Sequence, residues 1–164
     1  MDEIELHRRN VREFLAKPPF SKRNLSEADL SVFCAALTHD SYCSEALNLP
    51  VPKELESYER LEFLGDSVLE MIACEHVYKD TDLKEGPMTD FKQEIVANRK
   101  ISDKVLSKGL DIDGVMLVGH GHRDENGNVI EENMRADSFE ALIGAVYILY
   151  GLDEARRIIS EVLL

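Results

Sequence analysis

Residues 139–152 read FEALIGAVYILYGL, and Glu140 is the one charged residue among them. Apolar side chains cover the whole circumference of the helix that this stretch predicts, which marks a helix buried on every side. A carboxylate in such a place is costly alone: it takes up a proton, finds a cationic partner or binds a metal. Another acid, Asp137, lies one turn earlier. Like charges about 4 Å apart repel by about 4 kcal/mol at an effective dielectric of 20.

A second predicted helix carries Glu59, Glu62 and Asp66 at i, i+3 and i+7. At ~100° per residue the three fall within roughly 60° of one face. Leu61, Leu64, Val68 and Ile72 take the opposite side. Alone, this pattern is equally an acidic stripe facing water. Each helix also holds an interior glycine beside its acids, Gly65 before Asp66 and Gly144 one turn after Glu140. Interior glycine costs about 1 kcal/mol relative to alanine. Close helix approach is one rationale, and Ala141 and Ala145 would permit it. If the helices cross there, Glu62, Asp66, Asp137 and Glu140 converge into a hard oxygen site suited to Mg²⁺ or Mn²⁺. The alternative is two unrelated acidic patches. Phe63 lies next to the acidic face, where it either marks an interface or packs under a neighbouring helix or loop.

Apolar spacing is helical almost throughout. Helices are predicted over residues 2–16, ended by Pro18-Pro19, and over 27–37, capped by Ser26. Residues 43–53, with Pro50 and Pro52, read as a loop, followed by a long helix over 54–78. Gly86-Pro87 breaks the chain, and Thr89 caps a helix to about 108 that ends at Gly109. Residues 119–132 are polar and glycine-rich, with Asn126-Gly127 as a tight turn between two short strands. Helices over 134–150 and 153–164 follow, split at Gly151. The expectation is one all-α domain over 1–164 with one irregular polar loop, residues 1–25 forming a helical extension.

With 164 residues, 44% hydrophobic and 31% charged, the chain can build one core. Lys and Arg number 19 against 32 Asp and Glu, a net charge of −13, so a broad basic nucleic-acid surface is excluded. Binding bridged by divalent cations is not excluded. Cys34, Cys43 and Cys74 form no C-x-x-C pair, which argues against a disulfide framework or zinc site and for a reducing compartment. No signal peptide is expected in the acidic start, and no apolar run approaches the ~20 residues of a membrane span. A cytoplasmic protein without membrane contact is the expectation. Cys34 and Cys74 are expected in the core, His39 as a hydrogen-bonded structural residue, and His120 and His122 in solvent. Lys92, Arg99, Lys100 and Lys104 recur on one predicted helix, as phosphate contacts or a solvated face. Arg8, Arg9 and Arg12 form a second, weaker basic patch.

Four segments resemble the ribonuclease III catalytic domain. Residues 59–66 read ERLEFLGD, residues 36–42 read ALTHDSY, Glu85-Gly86 precede Lys92 and Asn98, and residues 136–145 read ADSFEALIGA. The match spans about residues 27–160. The resemblance implies an all-α endonuclease domain that cuts double-stranded or structured RNA. It implies Mg²⁺, with Mn²⁺ as a substitute, bound by the catalytic Glu62, Asp66, Asp137 and Glu140. It gives Glu59 a supporting role, Glu85 a second-metal or architectural one, and Lys92 and Asn98 supporting positions on a middle helix. It also implies a homodimer in which Phe63 enters a pocket of the partner, each subunit cutting one strand to leave short 3′ overhangs and 5′ phosphates. No double-stranded-RNA-binding domain is expected within the 164 residues, so affinity would come from the dimer groove, a partner or a structured RNA. Two rivals stand beside this reading. One is an all-α Mg²⁺-dependent nucleoside triphosphate pyrophosphohydrolase, whose acidic pairs normally sit closer in sequence. The other is a non-catalytic RNA-associated scaffold, disfavoured because all four candidate ligands are present.

Overall fold

The buried helix foreseen at residues 139–152 is the axle of the molecule. In a computed structural model, which describes residues 2–129 and 131–164, its residues 139–150 lie in α8 (Glu132–Tyr150), but the last turn is not buried: Tyr147, Ile148 and Tyr150 are exposed, and Gly151 and Leu152 fall beyond the helix. Phe139, Ala141, Leu142, Ile143, Ala145 and Val146 have no solvent exposure. Packed against α8 are α2 (Glu27–Ala36), α4 (Glu59–Asp80), α6 (Asn98–Ser107) and α9 (Leu152–Val162). The amphipathic α9 buries Ala155, Ile158, Ile159 and Val162. The single turn α7 (Ile112–Val115) also touches α8, and outside this group lie α1 (Glu3–Leu15), α3 (Asp40–Leu47) and α5 (Glu85–Val96). The fold is all-α: no strand forms among the described residues, and only isolated bridges join Thr38 to Leu117 and Arg123 to Val129. No helix among them is long and apolar enough to cross a membrane.

At the crossing of α4 and α8 the two backbones come into direct contact. A Cβ built on Gly65 would collide with the carbonyl oxygen of Glu140, and one on Gly144 with that of Leu61. Both glycines are therefore required by backbone-on-backbone contact, as their cost to helix stability implied.

Several local expectations are corrected. Residues 43–47 belong to a helix, α3, rather than a loop. His39 caps it by accepting a hydrogen bond from the Ser41 amide at 3.1 Å, and Tyr42, Cys43 and Ala46 bury its inner face. The long helix α4 begins at Glu59, not 54. The helix expected over 89–108 is two helices, α5 and α6, separated by the extended Ala97 (ψ 131°). Gly86-Pro87 lies inside the first turn of α5, where proline's missing N–H has no helical partner to lose. Lys92 therefore sits on α5 while Arg99, Lys100 and Lys104 sit on α6, and Lys100 is paired with Glu94 at 3.4 Å. The arginines of α1 form no free patch, because Glu27 holds both Arg8 and Arg12, and Arg9 lies near Glu13. Cys34 is buried, but Cys74 is exposed. The turn at Asn126-Gly127 is present, with Gly127 at φ 80° and the Asp124 carboxylate accepting from the Asn126 and Asn128 amides at 2.8 Å. Its expected flanking strands are reduced to the single bridge at Arg123, and Ile130 lies outside the described residues.

Candidate active site

Because Gly65 and Gly144 bring the two backbones together, acids on facing sides of α4 and α8 meet. One carboxylate oxygen from each of Glu62, Asp137 and Glu140 lies within 4.8 Å of the others. Glu140 is only 4% exposed. Burial, then the charges of Asp66, Asp137, Glu62 and Glu70, push its carboxyl up to about 8. Burial, then Asp137, Glu59 and Asp66, push Glu62 up to about 7. Burial raises Asp137 too, while hydrogen bonds from Tyr58 and Asn98 pull the other way. Every neighbouring charge acting on Glu62 and Glu140 is another carboxylate.

Of the four predicted ligands, the structure thus brings three into one cluster. Asp66 stands beside it rather than inside, exposed on α4, its charge still felt by Glu62 and Glu140. Burial and Glu70 raise the Asp66 carboxyl, and Lys92 lowers it. Glu59 is exposed at the start of α4, 3.3 Å from the Ser57 hydroxyl. Asn98, the first residue of α6, donates to Asp137 Oδ1 at 3.2 Å. Lys92 pairs with Glu70 at 3.2 Å instead of reaching the three-carboxylate cluster. Glu85 opens α5 and lines a cavity of about 310 Å³ with Cys74, Val77, Tyr78, Met88 and Lys92; it is not part of the cluster. Phe63 is 80% exposed. It borders a largely apolar groove of about 850 Å³ lined by Val32, Ala35, Leu61, Leu64 and Ile148, with Glu56, Glu59 and Arg60 also on its wall.

Two neighbours escaped the sequence reading. Tyr58 directs its hydroxyl at Asp137 Oδ2, 3.4 Å away. Glu70 continues the acidic stripe of α4 one turn past Asp66, a spacing already visible in the sequence. His39 behaves as expected, its Nδ1 bonded to the Ser41 hydroxyl at 2.7 Å. His120 is exposed but pairs with Glu45 at 2.8 Å, and the His122 ring lies 5.0 Å from that of His39.

An all-oxygen donor set, crowded and with no cationic partner seen for its three carboxylates among the described residues, fits a hard divalent ion and no soft one. A known family model, described as ribonuclease-III-like, matches the chain over residues 29–164. The chain belongs to the ribonuclease III-like family. Ribonuclease 3 of Caldanaerobacter subterraneus is 35% identical over 141 residues, covering 85% of this chain and 58% of that protein. Ribonuclease 3 of Thermobifida fusca is 37% identical over 131 residues, covering 79% of this chain and 51% of that protein. The chain thus spans little more than half the length of these ribonuclease 3 relatives. Among solved structures, the nuclease domain of ribonuclease III from Campylobacter jejuni superposes with a TM-score of 0.67. That match covers 98% of this chain and 96% of the other at 22% identity, a likeness of fold.

Proposed function

We propose that this chain is a Mg²⁺-dependent endoribonuclease that hydrolyses phosphodiester bonds in double-stranded or structured RNA, one strand per active site of a homodimer. The observation that carries this reading is the meeting of Glu62, Asp137 and Glu140 at the glycine crossing, where the charges that raise Glu62 and Glu140 are other carboxylates.

Glu62, Asp137 and Glu140 would hold the ion, with Asp66 at its edge. When bound, Mg²⁺ or Mn²⁺ supplies Lewis acidity toward the phosphodiester and lowers the pKa of water. The rest is positioning by the protein. At neutral pH in the ion-free protein the two carboxyls retain protons in part, Glu140 (about 8) mostly and Glu62 (about 7) about half the time. They release them when a cation replaces the mutual repulsion. The rigid α4–α8 pair fixes where the oxygens stand. Glu59 lines the exposed rim, where substrate would approach.

An A-form duplex is read through its shape, 2′-hydroxyls and phosphates, so recognition does not need a sequence code. With a net charge of −13, affinity would be weak and strongly dependent on salt and divalent ions. The homodimer is supported by Phe63, a large exposed aromatic beside a largely apolar groove that suits the Phe63 of a second copy. The Campylobacter jejuni nuclease domain, a relative in fold, is described with structural flexibility in a region involved in dimer formation.

The deciding experiment is cleavage of an end-labelled RNA duplex at low salt, with and without Mg²⁺, by the wild-type, Asp66→Asn and Glu140→Gln proteins. Metal-dependent cutting by the wild type alone is expected. Cutting that persists in Glu140→Gln, or without divalent ions, would refute the site. Pyrophosphate release from nucleotides would instead support the pyrophosphohydrolase reading.

A further inference from the structure

The acids of the cluster come from two helices, and something must set their spacing against their own repulsion. Tyr58, the residue before α4, touches both sides of the problem. Its carbonyl accepts the amide of Glu62 at 2.8 Å, so its backbone sets the start of the helix that carries that acid. Its hydroxyl lies 3.4 Å from Oδ2 of Asp137 on α8. Asn98 holds the other oxygen, Oδ1, at 3.2 Å. Both oxygens of Asp137 are thus approached by neutral donors from two different elements.

The neutrality matters. An arginine or lysine there would cancel the charge a cation needs, and a carboxylate would add to the repulsion. A phenol and an amide each occupy one lone pair and leave another on the same oxygen for a ligand. At 3.4 Å the phenol contact is long, so it steers the carboxylate rather than clamping it.

Tyr58 is itself held from several directions. It is 4% exposed. Its amide donates to the Thr38 carbonyl at 2.9 Å, and its ring meets the edge of His39 with centroids 5.5 Å apart. His39 in turn is fixed by Ser41 and faces His122 of the polar loop. The tyrosine is therefore in place in the ion-free protein, which is what a preorganised ligand shell requires.

We propose that Tyr58 is a positioning residue of the metal centre, fixing Asp137 relative to Glu62 through its hydroxyl and its backbone. This rests on the reading of the site given above. The test is Mn²⁺ binding by calorimetry to the wild-type and Tyr58→Phe proteins, which differ by one oxygen. Loss of a supporting hydrogen bond of this kind weakens metal binding about tenfold. The expected result is that loss with an unchanged Tm in the absence of metal. Cleavage should lose kcat at fixed low Mn²⁺, keep its KM for RNA, and recover at higher Mn²⁺. Tyr58→Phe binding Mn²⁺ as tightly as wild type would overturn the inference and leave the proposed function standing. Wild-type protein that binds no Mn²⁺ at millimolar concentration would overturn both.

Should Tyr58→Phe fail to fold, the wild-type protein carries the test alone. Its five tyrosines can be labelled with ¹³C at the phenol carbon and assigned by the other Tyr→Phe variants. A Tyr58 signal that moves with the calorimetric Mg²⁺ midpoint supports the role. One that stays still at saturation refutes it.

Discussion

Replacing Gly65 by alanine isolates what the α4–α8 crossing is worth. The new Cβ would overlap the Glu140 carbonyl oxygen and stand 2.6 Å from the Glu140 carbonyl carbon and 2.9 Å from the Gly144 nitrogen. All of these are backbone atoms of a buried helix, so no side chain can swing aside and the helices must part. Overpacking of this kind costs about 3 kcal/mol at the upper end of its usual range. The gain in helix propensity, about 1 kcal/mol, offsets part of it. The net loss is about 2 kcal/mol, or a fall in Tm of about 4–8 °C for a chain of this size. The control is Gly86→Ala in the first turn of α5, where a Cβ meets nothing within 4 Å. That substitution should be neutral or stabilise by up to about 1 kcal/mol. Urea unfolding of both variants measures the pair. Parting the helices also separates Glu62 from Glu140, so Gly65→Ala should lose the Mg²⁺-induced rise in stability while Gly86→Ala keeps it. Gly65→Ala as stable as Gly86→Ala would refute the crossing argument.

Other consequences follow from burial and charge. Glu140, at about 8, and Glu62, at about 7, are acids whose pKa is higher in the folded state. They contribute stability below the ordinary carboxylate range that is lost as pH rises through those values. Glu140→Gln should therefore stabilise the metal-free protein by about 1–3 kcal/mol at pH 8, and denaturant midpoints at pH 5 and pH 8 would reveal a flat difference if this is wrong. His7 shows the opposite sense. It is buried against the carbonyls of Val115 (3.0 Å) and Cys34 (3.4 Å), and burial holds its pKa below the usual value. Its contribution is present above about pH 6.5 and lost as pH falls below that toward the folded value; His7→Gln should remove that part of the acid slope in urea titrations. Phe63→Ala should weaken self-association by about 2 kcal/mol, about 30-fold in Kd. Sedimentation equilibrium that shows no change would sink the interface.

How much of this was legible depended on whether the cause was local. The buried α8 announced itself through one charge in an apolar run, and the crossing through two glycines whose cost had to have a reason. Both signals are carried by neighbouring residues; the structure agrees with the second throughout and with the first as far as Val146, beyond which Tyr147, Ile148 and Tyr150 are exposed. Ala97 is an excellent helix residue, so nothing local marks the break between α5 and α6 that places Asn98 against Asp137. His39 is an uncommon cap, which hid α3. Glu27 neutralises two arginines of another helix, a pairing that only the tertiary fold reveals. Tyr58 was overlooked because its partner lies far along the chain, whereas Glu70 was visible at helical spacing and was passed over.

The carboxylate cluster is also built from residues far apart in the chain. Glu62 and Asp66 emerge early, on α4, but Asp137 and Glu140 arrive only with α8, after α5, α6 and α7 have been synthesised. Until α8 docks, the first pair is an ordinary solvated acidic stripe with slight hold on any ion. On the proposed function, metal affinity and the cutting of RNA would therefore arise when α8 docks against α4.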